Sequence, residues 1–556
     1  MREHEGQGDD ESEEQDGLDA ATEMGRHMRI MRAGRRASTC AALILALGAT
    51  ACSGSAHAPH VAVIASGADL ESANPLVTVH PMARQVQRYA LFVTLARYGD
   101  TLEPEPYFAR RWEWSSGGLT LTLHLFGGLR WHDGTPTTAH DVAFTVDAAR
   151  DPQTGYYRRG ELDGVASIVV VDDTTVSIAF ATAPPRFPQV LCELPIVPKH
   201  LLGAVPHAEF RTHPFARAPV GNGPFRFVER RPRESWRFER VAEFPAELGG
   251  PAQLSQFVVA VVDEATTKFA GLASGDLDLA GISPAMASLA SGDPTLRLLT
   301  YPVAFTNVLV FNTTRPPFDD ARVRRAISAA IDRRRLVDVG LHGFGVATQG
   351  PIVPGHPAFS EDTVAADAGA AFDSAGYTLV GGRRVKDGAL LAFTLRSVGS
   401  GDNAMEQLIQ ADLRALGVDV TLQQVELGTF LRDARAEPRA FDVLLTGIPG
   451  DLALSHVAAM FGSAQRGGAL DYADFHTARL DSLLAVAARA TTTSGVATSW
   501  RAVADELARE APVAWLYHSR GVQGARRALL GVEMDLRGEL VTLTRWHFDT
   551  ARTGPT

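Results

Sequence analysis

Residues Leu119–Ala149 read LTLTLHLFGGLRWHDGTPTTAHDVAFTVDAA, and the order of patterns inside this stretch decides the fold class. Leu119, Leu121, Leu123 and Leu125 alternate with Thr120, Thr122 and His124, the period of two of a strand that buries one face. Gly127 and Gly128 close it. Asp133 and Gly134 then mark a turn, and Thr138 with Asp141 has capping-box spacing, which predicts the start of a helix.

The same alternation of strand and helix continues on either side. Ser167–Thr182, SIVVVDDTTVSIAFAT, predicts two strands joined through Asp172 to Thr175. In Pro316–Asp338, Val323, Ala326, Ile327, Ala330 and Ile331 share one helical face, and Asp319 or Asp320 can cap its start. Met405, Leu408, Ile409, Leu413 and Leu416 form another such face, stopped by Gly417 and followed by the strand-like VDVTLQQV. Helix-then-strand units of this kind imply α/β lobes with partly parallel sheets.

With 556 residues, 45% of them apolar and 21% charged, the chain is too long for one core and too apolar to be disordered. Two or three lobes are expected. The net charge is −11, and the first 51 residues carry ten Asp/Glu against six Arg, a block of the kind that is normally solvated and disordered. An acidic balance without clustered Lys and Arg argues against a nucleic-acid partner.

Arg29, Arg32, Arg35 and Arg36 precede the apolar Ala41–Ala51, the layout of an export signal with too few apolar residues to span a bilayer. The acidic start sits awkwardly before that signal, and translation from Met24, Met28 or Met31 would remove it. The segment ends Ala49-Thr50-Ala51-Cys52 and is similar to a bacterial lipobox, with Ala49 where Leu is usual. This implies an exported chain, periplasmic or on the cell surface, tethered to the membrane by lipid on Cys52. Cys192 is left without a partner, so neither a disulfide framework nor a cysteine metal site is expected.

Nothing in the sequence supplies catalytic chemistry. His124, His132 and His140 fall on a strand, a turn and a helix start, which fits polar-face histidines better than a metal site. No Gly-x-Ser-x-Gly elbow, phosphate loop, Cys-x-x-Cys or His-Glu-x-x-His occurs. No enzyme activity, metal or cofactor is expected.

Several stretches in order carry a family resemblance: Leu95–Ala149, then PVGNGPFRFVE (Pro219–Glu229), NTTRPPFDDARVRRAISAAIDRRRLVD (Asn312–Asp338) and GPIVPGHPAF (Gly350–Phe359). Together they resemble the extracellular solute-binding proteins of family 5, the dipeptide, oligopeptide and nickel receptors of ABC importers. The resemblance implies a periplasmic-binding-protein type II α/β fold: two hinged lobes plus an inserted extra domain. It places lobe I at 53–79, 184–312 and 511–556, the inserted domain at 80–183 and lobe III at 313–510, after a signal region over 1–51. The crossings near Phe311-Asn312 and Ala511-Pro512 would be the hinge.

The segment Leu444–Ala453, LLTGIPGDLA, follows a strand-like run and sets a lone carboxylate after a Pro-Gly bend. Local chemistry alone makes Asp451 a turn residue. The resemblance instead implies a ligand contact, because peptide-binding members carry Gly-Trp-x-x-Asp there, with the Asp taking the ligand ammonium. Gly447, Ile448, Pro449, Gly450 and Asp451 match that segment, with Ile448 in place of Trp. Pro449 lacks the N–H that a strand-like peptide would use. Leu427 stands where some relatives carry another Trp, and His80, Met82 and Tyr157 are the candidates on the opposite wall. The implied function is a monomeric receptor that captures a small peptide and delivers it to ABC permease subunits. The alternatives are a receptor for chelated nickel, an opine-like compound or an oligosaccharide, and, more remotely, an exported enzyme.

Overall fold

The computed structural model describes residues 61–184, 187–359, 367–399, 403–490 and 492–549. The proposed signal region and the Cys52 lipid site lie outside the described residues. Among the described residues, two long antiparallel strands, Leu296–Phe311 and Val513–Arg526, form the spine of an eleven-stranded sheet. Their first-lobe ends pair onward through Leu279–Gly281, Val61–Ser66, Gln256–Val261, Ser235–Arg240 and Phe225–Arg231. Their other ends pair through Val443–Pro449, Ala392–Val398 and Asp419–Val425. The neighbours change at Pro302–Thr306, where the register against Val513–Arg526 also slips.

Each half of the sheet is covered on both faces, and strand alternation shows how. Val308 and Val310 enter one core with Ile448, Trp515 and Trp500, while Leu309 and Phe311 enter another with Leu395, Ile327 and Leu413. In the first half, Ala62 and Ile64 face one core and Val63 and Ala65 the opposite one. Strands buried on both sides are nearly continuous in apolar residues, which is why VAVIAS and FDVLL show little alternation.

The locally encoded elements form as their sequences dictate. Thr120–Leu125 buries Leu121, Leu123 and Leu125 and belongs to a separate four-stranded sheet with Ala109–Trp114, Thr175–Phe180 and Val165–Asp172. Leu119 is left outside the strand and exposed. Helix Ala139–Arg150 packs beside that sheet, and its capping box is complete: Thr138 N donates to Asp141 Oδ2 at 2.8 Å and His140 N to Thr138 Oγ1 at 3.3 Å. Helix Ala321–Ala330 is capped by Asp320, which accepts from Arg322 N at 2.8 Å. Strand Ala392–Val398, helix Ala404–Ala415 and strand Asp419–Val425 make a parallel βαβ unit.

The evenly spaced histidines do different local work. His124 Nε2 lies 2.9 Å from Glu113 Oε1, His132 Nε2 is 3.0 Å from Gly223 O, and His140 is 4.0 Å from Asp173.

Candidate functional site

Strand Val443–Pro449 ends at the boundary between the two halves of the sheet, and the chain then turns at Gly450, whose N–H donates to Ala304 O at 2.8 Å. Asp451 follows. Its Oδ1 accepts from Ala453 N at 2.9 Å and Ser455 N at 3.0 Å, and its Oδ2 from Ser455 Oγ at 2.6 Å and His456 N at 3.1 Å. His456 Nδ1 stands 3.5 Å from Oδ2. The carboxylate therefore organises the start of helix Ser455–Phe461, the role that local turn chemistry predicts. It is not shut off, since 24% of the side chain is exposed. Burial alone would raise its pKa, but the hydrogen bonds with His456 and Ser455 hold it well below the usual carboxylate range. Asp451 is a fixed anion.

Around it the other residues of the segment have distinct positions. Ile448 is 1% exposed and points into the second-half core, so it forms no wall. Pro449 pairs with Phe305 at the strand end. Gly447 is required for a different reason: the ring of Phe305 occupies the space its Cβ would fill. Phe305 is 39% exposed and supplies the aromatic surface that Ile448 does not. Leu427 opens helix Leu427–Arg435 and is 53% exposed.

Leu452 reaches across the boundary. It is buried in the continuous core shared by the first half of the large sheet and the four-stranded sheet, together with Leu91, Phe108 and Cys192. A narrow crevice beside it, about 20 Å³, is bounded by Leu102, Glu103 and Gln189 on one side and His356, Ala453 and Trp500 on the other. The two halves are in contact here.

Facing Asp451 is a buried network of charge. Glu193 Oε2 forms ion pairs with Arg158 Nη1 at 3.0 Å and Arg88 Nη1 at 3.2 Å, and Arg158 Nε donates to Glu161 Oε1 at 2.5 Å. The side chains of Arg158 and Glu193 are 7% and 11% exposed. Burial works against ionisation of Glu193, yet Arg158, Arg88 and Arg84 bring its pKa below the usual range. Glu161 goes the other way: burial raises it, Arg158 only partly offsets this, and the charge of Asp451 adds to the rise. Asp451 also opposes ionisation of Glu193. The carboxylate at the end of the second-half strand and the charge network of the first half thus share one electrostatic environment.

The candidates on this wall divide. Tyr157 belongs to the network and is 40% exposed, with the Arg84 guanidinium 4.9 Å from its ring centroid. His80 caps helix Pro81–Val86, its Nδ1 accepting from Ala83 N at 3.2 Å, and burial lowers its pKa. Met82 is buried in the first-lobe core. Arg84, Arg88, Glu161, Glu193 and Phe305 carried no local motif, and only the tertiary pairings bring them together. On the second-half side His518 is buried, with Nδ1 2.8 Å from Thr306 Oγ1.

A group able to hold a cation lies elsewhere, at Asp471, Asp474 and His476. Arg439 Nη2 already sits 3.5 Å from Asp471 Oδ2, which also accepts from Gly467 N at 2.8 Å, so an ion pair occupies that oxygen while the buried Oδ1 has no hydrogen-bond partner among the described residues.

Two sheet halves joined by a pair of spanning strands, with a polar boundary between them, define a two-lobed binding protein of the type II periplasmic-binding fold. The chain belongs to the bacterial extracellular solute-binding proteins, family 5, whose model matches residues 103–467. It is similar to the oligopeptide-binding protein AppA of Bacillus subtilis, 24% identical over 452 residues that cover 77% of this chain and 81% of that protein. Among solved structures it resembles NikZ of Campylobacter jejuni in complex with Ni(L-His), with TM-score 0.73, 21% identity, and coverage of 88% of this chain and 100% of that one. It also resembles AppA of Bacillus subtilis in complex with a nonapeptide, with TM-score 0.71, 22% identity, and coverage of 88% and 99%. Family and neighbours are receptors, and among the described residues no helix is long and apolar enough to cross a membrane.

Proposed function

We propose that this chain is the substrate-binding lipoprotein of an ABC importer, tethered through Cys52, which closes its lobes over a small peptide and hands it to the permease. The observation that carries this reading is the place of Asp451: an anion fixed at the lobe boundary, one residue before the Leu452 that packs into the opposite lobe. A solute whose positive end meets Asp451 therefore binds where the lobes meet, which couples capture to closure. The ammonium takes the place of the Ser455 hydroxyl, a rotor that can turn away, while the three backbone N–H donors stay. We place the hinge at Pro302–Thr306, where the spanning strand changes neighbours and register, in place of the Phe311-Asn312 crossing, since Phe311 is already packed in a second-half core. Oligopeptides bound by the relative AppA support the solute class.

A second reading, a non-peptide solute, has its own support. Pro449 has no N–H and the Gly450 N–H is spent on Ala304 O, so this edge offers a peptide few main-chain donors. Native mass spectrometry of the receptor purified from its own host tests the choice. A peptide mass that is released intact supports the first reading. A metal chelate or sugar supports the second, and turnover of the bound compound indicates an enzyme.

A further inference from the structure

The loop that joins helix Ser455–Phe461 to helix Ala478–Arg489 buries two ionisable groups, Asp471 and His476, whose side chains are 0% and 1% exposed. His476 Nδ1 lies 3.2 Å from Phe461 O, an atom that only accepts, so the proton of the neutral ring sits on Nδ1. Nε2 then presents a lone pair, and it stands 3.2 Å from Asp471 Oδ2 and 3.8 Å from Asp474 Oδ1. Three acceptors converge with no proton between them. The other oxygen of Asp471, Oδ1, is buried and has no hydrogen-bond partner among the described residues, which is costly for a carboxylate. Arg439 does not relieve it: Nη2 donates to Asp471 O at 2.9 Å and stands 3.5 Å from Oδ2, which also accepts from Gly467 N. A second proton on the imidazole would serve Oδ2 and leave Oδ1 as it is.

We propose that Asp471, Asp474 and His476 form a site for a divalent transition-metal ion, which clamps this loop to the end of helix Ser455–Phe461 remote from Asp451. An oxygen of each carboxylate and a ring nitrogen of His476 lie within 4.8 Å of one another. Ligands about 2.1 Å from a tetrahedral ion stand about 3.4 Å apart, and the 3.2 and 3.8 Å separations at Nε2 bracket that value. A histidine whose second ring nitrogen donates to a backbone carbonyl is the usual arrangement at a metal, because that bond fixes tautomer and ring. One imidazole with two carboxylates suits zinc or manganese better than calcium, which takes about six to eight oxygens. Asp474 is 30% exposed, so the ion and its waters have a way in. Arg466, 4.0 Å from Asp474 Oδ1 and 65% exposed, is free to swing aside. The rest of the loop is already anchored: Tyr472 and Ala473 are buried in the second-half core, and Thr313 Oγ1 donates to Ala473 O at 2.9 Å. The ion completes that anchoring and takes no part in holding the solute.

The whole receptor, stripped with EDTA and given Zn2+, Mn2+ or Ca2+ alone, tests this by isothermal titration and thermal melting, with no solute present. Zn2+ should bind tightest of the three, with a Kd of about a micromolar or below, and at a hundred times Kd should raise the melting midpoint by about 3 °C or more. Asp474→Asn is the variant to compare, because asparagine accepts the left-handed backbone of position 474, φ 48°, while the charged ligand is lost. Its metal-free midpoint should stay within about 2 °C of the parent, and its Zn2+ affinity should fall about a hundredfold. Zn2+ held equally by parent and variant is adventitious and overturns the proposal. So does a receptor that binds none of the ions, which leaves His476 as an imidazolium between two carboxylates. Ca2+ bound in preference to Zn2+ overturns the role given to the imidazole.

Discussion

The ring of Phe305 lies against Cα of Gly447, in the space a side chain at 447 would need. The two residues face each other across paired strands, since Phe305 pairs with Pro449 and Asn307 with Gly447. Phe305 is the exposed aromatic surface nearest the Asp451 turn in sequence register, and the glycine sets its height. Gly447→Ala should push the ring outward. Because Phe305 is 39% exposed and can rotate, the expected result is a melting temperature within about 2 °C of the parent and solute affinity about tenfold weaker. Calorimetry and titration on the same sample separate the two effects.

Gly223 is a different case. A Cβ there would meet Ala90 O, Leu91 C and Phe92 N, all backbone atoms, while Gly223 N donates to Leu91 O at 2.8 Å. Asn222 Oδ1 accepts from Val93 N at 3.0 Å alongside. Nothing nearby can yield, so Gly223→Ala should cost about 3 kcal/mol or more in urea unfolding, unlike the substitution at 447.

Residues that act on close neighbours are legible in the sequence, and residues that act across the fold are not. Thr138 and Asp141, or Leu121, Leu123 and Leu125, act on neighbours a few positions away, so their spacing alone reveals the element. Gly223 lies within PVGNGPF with no local feature that marks it, and its reason, a backbone packed against Leu91, is a contact between distant segments. The charge network was illegible for the same cause: Arg88 and Glu193 are far apart in the chain and follow no local period. Asp451 was half legible. Its turn chemistry is local, and four hydrogen bonds from Ala453, Ser455 and His456 express it. Its nearness to Glu161 and Glu193 depends on how the two halves meet. Ile448 shows the limit of residue-by-residue transfer, because strand alternation sends position 448 into the core.

Stability should fall with mild acid through the buried histidines. Burial pushes His518 down to about 4 from the ordinary 6.5, so it stays neutral in the folded chain while the unfolded chain takes up a proton. Its contribution is fully present above pH 6.5 and is lost as pH falls toward 4. The loss is roughly 3 kcal/mol for such a group. His132, also pushed to about 4, acts in the same direction. Thermal unfolding between pH 7 and 4 should show a decline that His518→Asn makes shallower; an unchanged slope would remove His518 as a cause.

Leu452 should matter for closure more than for folding of either lobe. It is 8% exposed, and only contact between the halves buries it. Leu452→Ala should weaken solute binding about ten- to a hundredfold, about 1.5 to 3 kcal/mol of lost burial in the closed state. Small-angle scattering of the solute-free protein should show a larger radius of gyration than the parent.

The central claim is that Asp451 meets the positive end of the solute, and the most direct test compares a free and an N-acetylated form of one peptide on the parent receptor and on Asp451→Asn. Asparagine keeps an oxygen for Ala453 N and Ser455 N but not for His456 N, so two of the three backbone bonds at the helix start are retained while the charge is lost. The free peptide should lose about a hundredfold in affinity on substitution, and the acetylated peptide, already weak, should bind both proteins alike. Equal loss for the two peptides, or none for either, would contradict the account and leave Asp451 only as the turn residue that binds Ser455 N and His456 N ahead of helix Ser455–Phe461.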